Sequence, residues 1–144
     1  MPKTIFVLLI FSLGIISTNL KSQNLIGMTF EVAKSKLIND PDLISIVCDT
    51  LEDGGRTITA YKKSDKKTLK LFYGFVGVDQ KCFYCATHYP DNELFMPTIE
   101  LFNTTFTRVA INKWLYTTSL QTLVYTLFNE NDGFVVEIIT STEN

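Results

Sequence analysis

The sequence predicts an α+β fold: two tandem units, each a helix followed by four antiparallel strands, forming one sheet with helices on one face. Three observations carry this expectation. Two stretches place apolar residues at helical spacing, and each is followed by short alternating segments separated by turn residues. The hairpin Thr68–His88 recurs as a pattern 52 residues later, in Leu120–Thr140. There Leu71-Phe72-Tyr73-Gly74-Phe75-Val76 aligns with Leu123-Val124-Tyr125-Thr126-Leu127-Phe128. A duplication and two ordinary hairpins of similar length both account for the match.

The N-terminus reads as a signal peptide over 1–22. Lys3 gives a positive start, Ile5–Ile16 an apolar run of 12, and Ser17–Gln23 a polar tail. The run is shorter than the ~20 residues of a membrane span. Residues 23–144 then form a single α+β domain, with units 27–90 and 91–144. Removing Lys3 and Lys21 leaves 11 basic against 15 acidic residues, a net charge of −4. That balance argues against nucleic acid, which favours a basic face. Export to the periplasm or outside the cell is the expected destination.

Thr29 is the expected N-cap of the first helix, with Phe30, Ala33 and Leu37 on its apolar face. Asn39-Asp40-Pro41 ends it, since the residue before proline avoids the helical region. Leu43–Leu51 and Arg56–Lys63 are the first two strands around Glu52-Asp53-Gly54-Gly55. Ser64–Lys67 turns into the hairpin Thr68–His88, whose turn is Gly77-Val78-Asp79-Gln80. Pairing Val76 with Lys81 puts Phe75 opposite Cys82, Tyr73 opposite Tyr84 and Leu71 opposite Ala86. Phe95, Ile99, Phe102 and Phe106 then form a second helical stripe, with Pro97 in its first turn. Phe106–Ile111 and Lys113–Thr118 are strands around Asn112, and Leu120–Thr140 closes the chain with Asp132-Gly133 at its turn.

Gly27-Met28-Thr29, followed by Ala33 and Leu37, resembles the start of small exported proteins of the outer-membrane assembly lipoprotein type. The sequence departs from that pattern in lacking a lipidated Cys and a Gly after Leu37, and in placing Pro41 one position late. The tandem helix-plus-four-strand architecture is similar to that of the beta-lactamase inhibitor protein fold. Both groups act by binding other proteins, so the resemblance implies a binding role. It carries over no site residues.

Three cysteines are candidates for chemistry. Cys82-Phe83-Tyr84-Cys85 has the spacing of a redox pair, but regular alternation sets Cys82 and Cys85 on opposite faces of a strand. The same alternation keeps Cys82, Cys85 and His88 from converging on zinc. Cys48 alternates with Ile44 and Ile46 and is expected to face inward, as is Cys82. A Cys48–Cys82 disulfide is therefore expected, leaving Cys85 free or pairing between chains. Three unpaired thiols are the alternative. His88, the only histidine, lacks a nucleophile elbow or an evident orienting acid. The acids sit mostly at turns, where Asp has its own backbone role. Lys62, Lys63, Lys66, Lys67 and Lys70 crowd one turn and read as a solvated surface. No catalytic, metal or cofactor site is expected.

The more informative feature is a sheet face. Leu71, Tyr73, Phe75, Tyr84, Leu123, Tyr125, Leu127, Phe134, Val136 and Ile138 are expected on the core face. The opposite face carries Phe72, Phe83, Val124, Val135 and Ile139, beside Lys70, Thr87, Thr122, Thr126 and Glu137. That is more apolar than an open sheet face requires, and such patches mark binding surfaces. The expected function is a non-enzymatic binding module that contacts a protein or envelope component through this face. The alternatives are a carrier of a small apolar ligand between sheet and helices, which calls for a large apolar cavity, and an enzyme, which calls for a polar cleft gathering His88 with acids.

Overall fold

The computed structural model describes residues 24–141; the signal peptide expected over 1–22 lies outside the described residues. Helix α1 (Phe30–Ile38) precedes strands β1 (Leu43–Thr50), β2 (Arg56–Ser64), β3 (Lys67–Val76) and β4 (Lys81–Tyr89). Helix α2 (Phe95–Thr105) precedes β5 (Thr107–Ala110), β6 (Lys113–Thr117), β7 (Thr122–Asn129) and β8 (Phe134–Thr140). The fold is α+β, with one 8-stranded sheet in the order β1-β2-β3-β4-β8-β7-β6-β5. Every neighbouring pair is antiparallel. Among the described residues, no helix is long and apolar enough to cross a membrane.

Local sequence explains most element boundaries. Phe30, Ala33 and Leu37 fall on one face of α1 because they are three and four residues apart, and all three are buried. Thr29 holds the N-cap position, although its side chain makes no capping hydrogen bond. Gly54 and Gly77 take positive φ (85° and 82°) in the turns after β1 and β3, where a Cβ would be strained. Gly133 serves differently. A Cβ there would lie 2.0 Å from the Tyr89 carbonyl oxygen, so its need is space.

Both helices lie on the same, inner face of the sheet. From α1, Phe30 meets Phe75 edge-on at 5.2 Å. From α2, Phe102 packs edge-on against Trp114 and Tyr125, and Phe95 against Phe134. Trp114 is fully buried, and its indole N–H donates to Asn103 Oδ1 at 2.9 Å. One apolar cluster runs from Leu25 through both helices to Ile138. Burying a side chain of this size is worth about 1.5–3 kcal/mol, so the aromatic seam under the helices is the main stabilising feature.

One register shift reorganises the central hairpin. Phe75 opposes Cys82 as expected, but Gly74 opposes Tyr84. Phe83 is thus an extra residue on β4, a β-bulge. Beyond it every side chain changes face relative to regular alternation. Tyr73 opposes Cys85 and Leu71 opposes Thr87, correcting the expected Tyr73–Tyr84 and Leu71–Ala86 pairs. Cys85 and Thr87 therefore join the core face, while Tyr84, Ala86 and His88 turn outward. The expected assignments of Tyr84 to the core face and Thr87 to the outer face are corrected accordingly.

The expected Cys48–Cys82 disulfide is corrected as well. Cys48 opposes Ile58 and so shares the inner face, but it lies on edge strand β1 and is exposed. It is three strands away from β4, about 14 Å at the usual inter-strand spacing. A disulfide spans at most about 7 Å between Cα atoms. Cys82 instead contacts Cys85, with the sulfur atoms 3.7 Å apart.

Candidate functional site

The outer face of β3, β4, β8 and β7 carries the candidate surface. Neither helix packs against it. Register places Tyr84 opposite Ile139, and Ile139 opposite Val124, so the three form a row across the strands. Phe72 and Phe83 flank that row. Phe72 meets Tyr84 edge-on at 6.0 Å, and Phe83 meets it at 6.3 Å. The five expected residues are not equally available. Phe83 is 43% exposed, Phe72, Val124 and Ile139 are half-buried, and Val135 is only 6% exposed. Phe128, opposite Val135, is 42% exposed and extends the surface along β7.

Two residues were missed in the sequence. Tyr84 belongs at the centre of this face, and the bulge puts it there. Gly74 makes room for the cluster, because a Cβ on it would come within 3.1 Å of the Phe83 ring. A glycine inside a strand often marks a bulge or a close approach, so Gly74 was the available signal.

The face also has a polar anchor. The Tyr84 hydroxyl donates to Glu137 Oε2 at 2.8 Å. Burial and this carboxylate push the phenol up to about 12, so near neutral pH it remains a donor. The surface thus offers aromatic rings, aliphatic side chains and one oriented hydrogen-bonded pair, a composition suited to a partner's apolar side chains.

A second candidate lies at the other end of the hairpins. A cleft of about 200 Å³ is lined by Thr68, Lys70, His88, Tyr89, Pro90, Glu130, Asp132 and Gly133. It does gather His88 with acids. The His88 Nδ1 to Glu130 Oε2 separation is 3.9 Å, however, which is beyond hydrogen-bond reach. Both side chains are well exposed, at 39% and 54%. At that separation the Glu130 carboxylate makes no hydrogen bond to the imidazole. A second concavity, of about 480 Å³, lies between the turns at Asp53–Gly55 and Val76–Gln80. Neither is beneath the helices, where Phe30, Phe102 and Trp114 fill the space and are at most 1% exposed.

The cysteines form a separate cluster within the core. Cys82 and Cys85 are both buried, and the Cys82 thiol donates to the Tyr84 carbonyl oxygen at 3.4 Å. Among the described residues, no group of three His, Cys, Asp or Glu side chains is arranged to hold a metal ion. No family model, curated protein or solved structure matches the chain.

Proposed function

We propose that this protein is an exported, non-enzymatic binding module that contacts a protein or envelope component through the outer face of its sheet. The observation that carries the reading is the aromatic cluster Phe72, Phe83 and Tyr84, which continues into Val124 and Ile139 on a face neither helix covers. A sheet of this length buries one face under helices for stability. Large apolar residues on its other face contribute little to the monomer's core and much to a contact. The tandem reading extends the proposal. Each half supplies one helix and four strands, and the halves meet where β4 pairs with β8, so the contact surface spans both. Cleavage near Ser22 would release the domain from its leader.

The test is affinity capture from envelope extract with the wild-type protein and with Phe83→Lys and Phe72→Lys. Circular dichroism confirms that each variant is folded. A lysine at the exposed Phe83 position replaces apolar contact area with a charge that an interface core excludes. The expected result is loss of the captured species with Phe83→Lys and weakening with Phe72→Lys. Capture that both folded variants leave unchanged refutes the outer face as the contact surface.

A further inference from the structure

Residues three apart on a regular strand point to opposite faces. The bulge at Phe83 removes that separation for Cys82 and Cys85. Their opposite residues on β3 are Phe75 and Tyr73, which lie two positions apart on one face. The two thiols consequently stand side by side in the core, 3.7 Å apart and each 2% exposed. Two strand rises separate their backbones by about 6.6 Å, inside the upper end of the Cα range of about 4.4–6.8 Å that a disulfide bridges. Closing the bond draws the backbone in at the bulge, where the ladder is already irregular.

We propose that Cys82 and Cys85 form an intrastrand disulfide across the bulge. The oxidant is a thiol–disulfide exchange partner, such as a disulfide-bearing protein or oxidised glutathione. One cysteine, as thiolate, attacks a partner sulfur and gives a mixed disulfide, releasing the partner's first thiol. The second cysteine, also as thiolate, attacks the protein sulfur of that mixed disulfide and releases the partner's second thiol. The two cysteines together lose two protons and two electrons, and the partner's disulfide becomes two thiols.

The surroundings control access. The segment Leu25–Met28 lies across Cys82: Gly27 N–H donates to the Cys82 carbonyl and Cys82 N–H donates to the Met28 carbonyl, each at 2.8 Å. Leu25 is fully buried there, and the backbone at Leu25 and Ile26 pulls the Cys85 thiol down, but less than its other surroundings push it up. The Cys82 thiol and burial hold Cys85 protonated in the closed state. Exchange therefore proceeds when this strap lifts. Once formed, the bond pins the bulge that turns Phe83 and Tyr84 outward. The inference stands independently of any partner for the outer face.

The test uses the protein expressed from its full sequence with Cys48→Ala, which removes only the exposed thiol. The folded, reduced protein is incubated with oxidised glutathione without denaturant, quenched in acid, then unfolded and alkylated for intact mass. The expected product is monomeric, takes no alkyl group and is two hydrogens lighter than the unalkylated reduced protein, whereas the reduced control takes two alkyl groups. It also keeps the circular dichroism spectrum of the reduced protein. Two alkyl groups after oxidation, a retained glutathione, a disulfide-linked dimer or closure only in denaturant overturns the proposal.

Discussion

Replacing Tyr73 with Phe should stabilise this protein, although Tyr73 sits at the centre of the sheet. Its ring is 1% exposed, between Ile58 on β2 and Cys85 on β4. Its hydroxyl is buried and has no hydrogen-bond partner among the described residues. Leaving a buried hydroxyl unpaired costs about 1–3 kcal/mol. Deleting the oxygen forfeits a handful of dispersion contacts, at about 0.1–0.2 kcal/mol each. The net expectation is a gain of about 1 kcal/mol, or a Tm rise of about 3–5 °C for a chain of this size. Thermal unfolding followed by circular dichroism at neutral pH, with reductant present, measures it. A fall of more than about 2 °C, roughly 0.5 kcal/mol on the same scale, refutes the argument, because the hydroxyl would then have a favourable partner. The pH dependence supplies a second check. Burial, reinforced by the neighbouring thiols, raises the Tyr73 phenol well above its usual value near 10. A group raised in the folded state contributes stability that is complete below its unfolded value and declines as pH rises above it. Tyr73→Phe should therefore move alkaline unfolding to higher pH, while Tyr84 and Tyr125, both pushed up to about 12, remain to limit the shift.

Gly133→Ala should cost about 1–3 kcal/mol as an overpacked contact, because the added Cβ meets the Tyr89 carbonyl at 2.0 Å and must displace backbone beside the Tyr89–Phe134 stack. A urea midpoint equal to that of wild type would rule this out. The pair of Lys62 Nζ and Asp40 Oδ2, at 2.6 Å, makes the acid limb of stability depend on Asp40. Partial burial raises the Asp40 carboxyl, but the Lys62 hydrogen bond, the Asp42 N–H and the Lys62 charge outweigh it and hold the group below its usual 3.8. Its contribution is thus present above about pH 4 and is lost as pH falls through the depressed value. Asp40→Asn should flatten stability against pH over that interval, and an unchanged acid profile would contradict the assignment. At neutral pH the same variant leaves the Lys62 ammonium, 10% exposed, without its carboxylate; the expected loss is roughly 2 kcal/mol, below the 3–5 of a fully buried pair.

The element order was legible because helices and strands impose different periods on apolar residues. Phe30, Ala33 and Leu37 announce one helix, and Phe95 and Phe102 the other, with no need of tertiary information. Gly54 and Gly77 mark turns through their backbone conformation alone. What a period cannot supply is a position within the sheet. Alternation correctly set Cys48 on the inner face with Ile46, yet β1 is an edge strand and Cys48 lies beyond the cover of the core. Nor does a period reveal an inserted residue. Phe83 breaks the alternation of β4, and everything from Tyr84 to Tyr89 follows the new phase. The sole local mark of it was Gly74 in mid-strand.

That one insertion also explains why two features that looked unrelated occur together. With regular alternation, Phe83 would lack Tyr84 beside it on the outer face, Tyr84 would face the core, and Cys85 would point away from Cys82. The extra residue sets Phe83 and Tyr84 side by side over Gly74 and brings the two thiols into contact beneath them. The aromatic surface and the thiol pair are thus opposite sides of a single backbone irregularity. Bulges bend a strand and re-aim side chains at a cost in regular pairing. Here the ladder loses regularity at Phe83, and the local gain to the monomer's core on the outer side is small, since Phe83 remains 43% exposed. An irregularity that adds little to stability but concentrates aromatic rings on a face that neither helix covers fits the proposed contact surface.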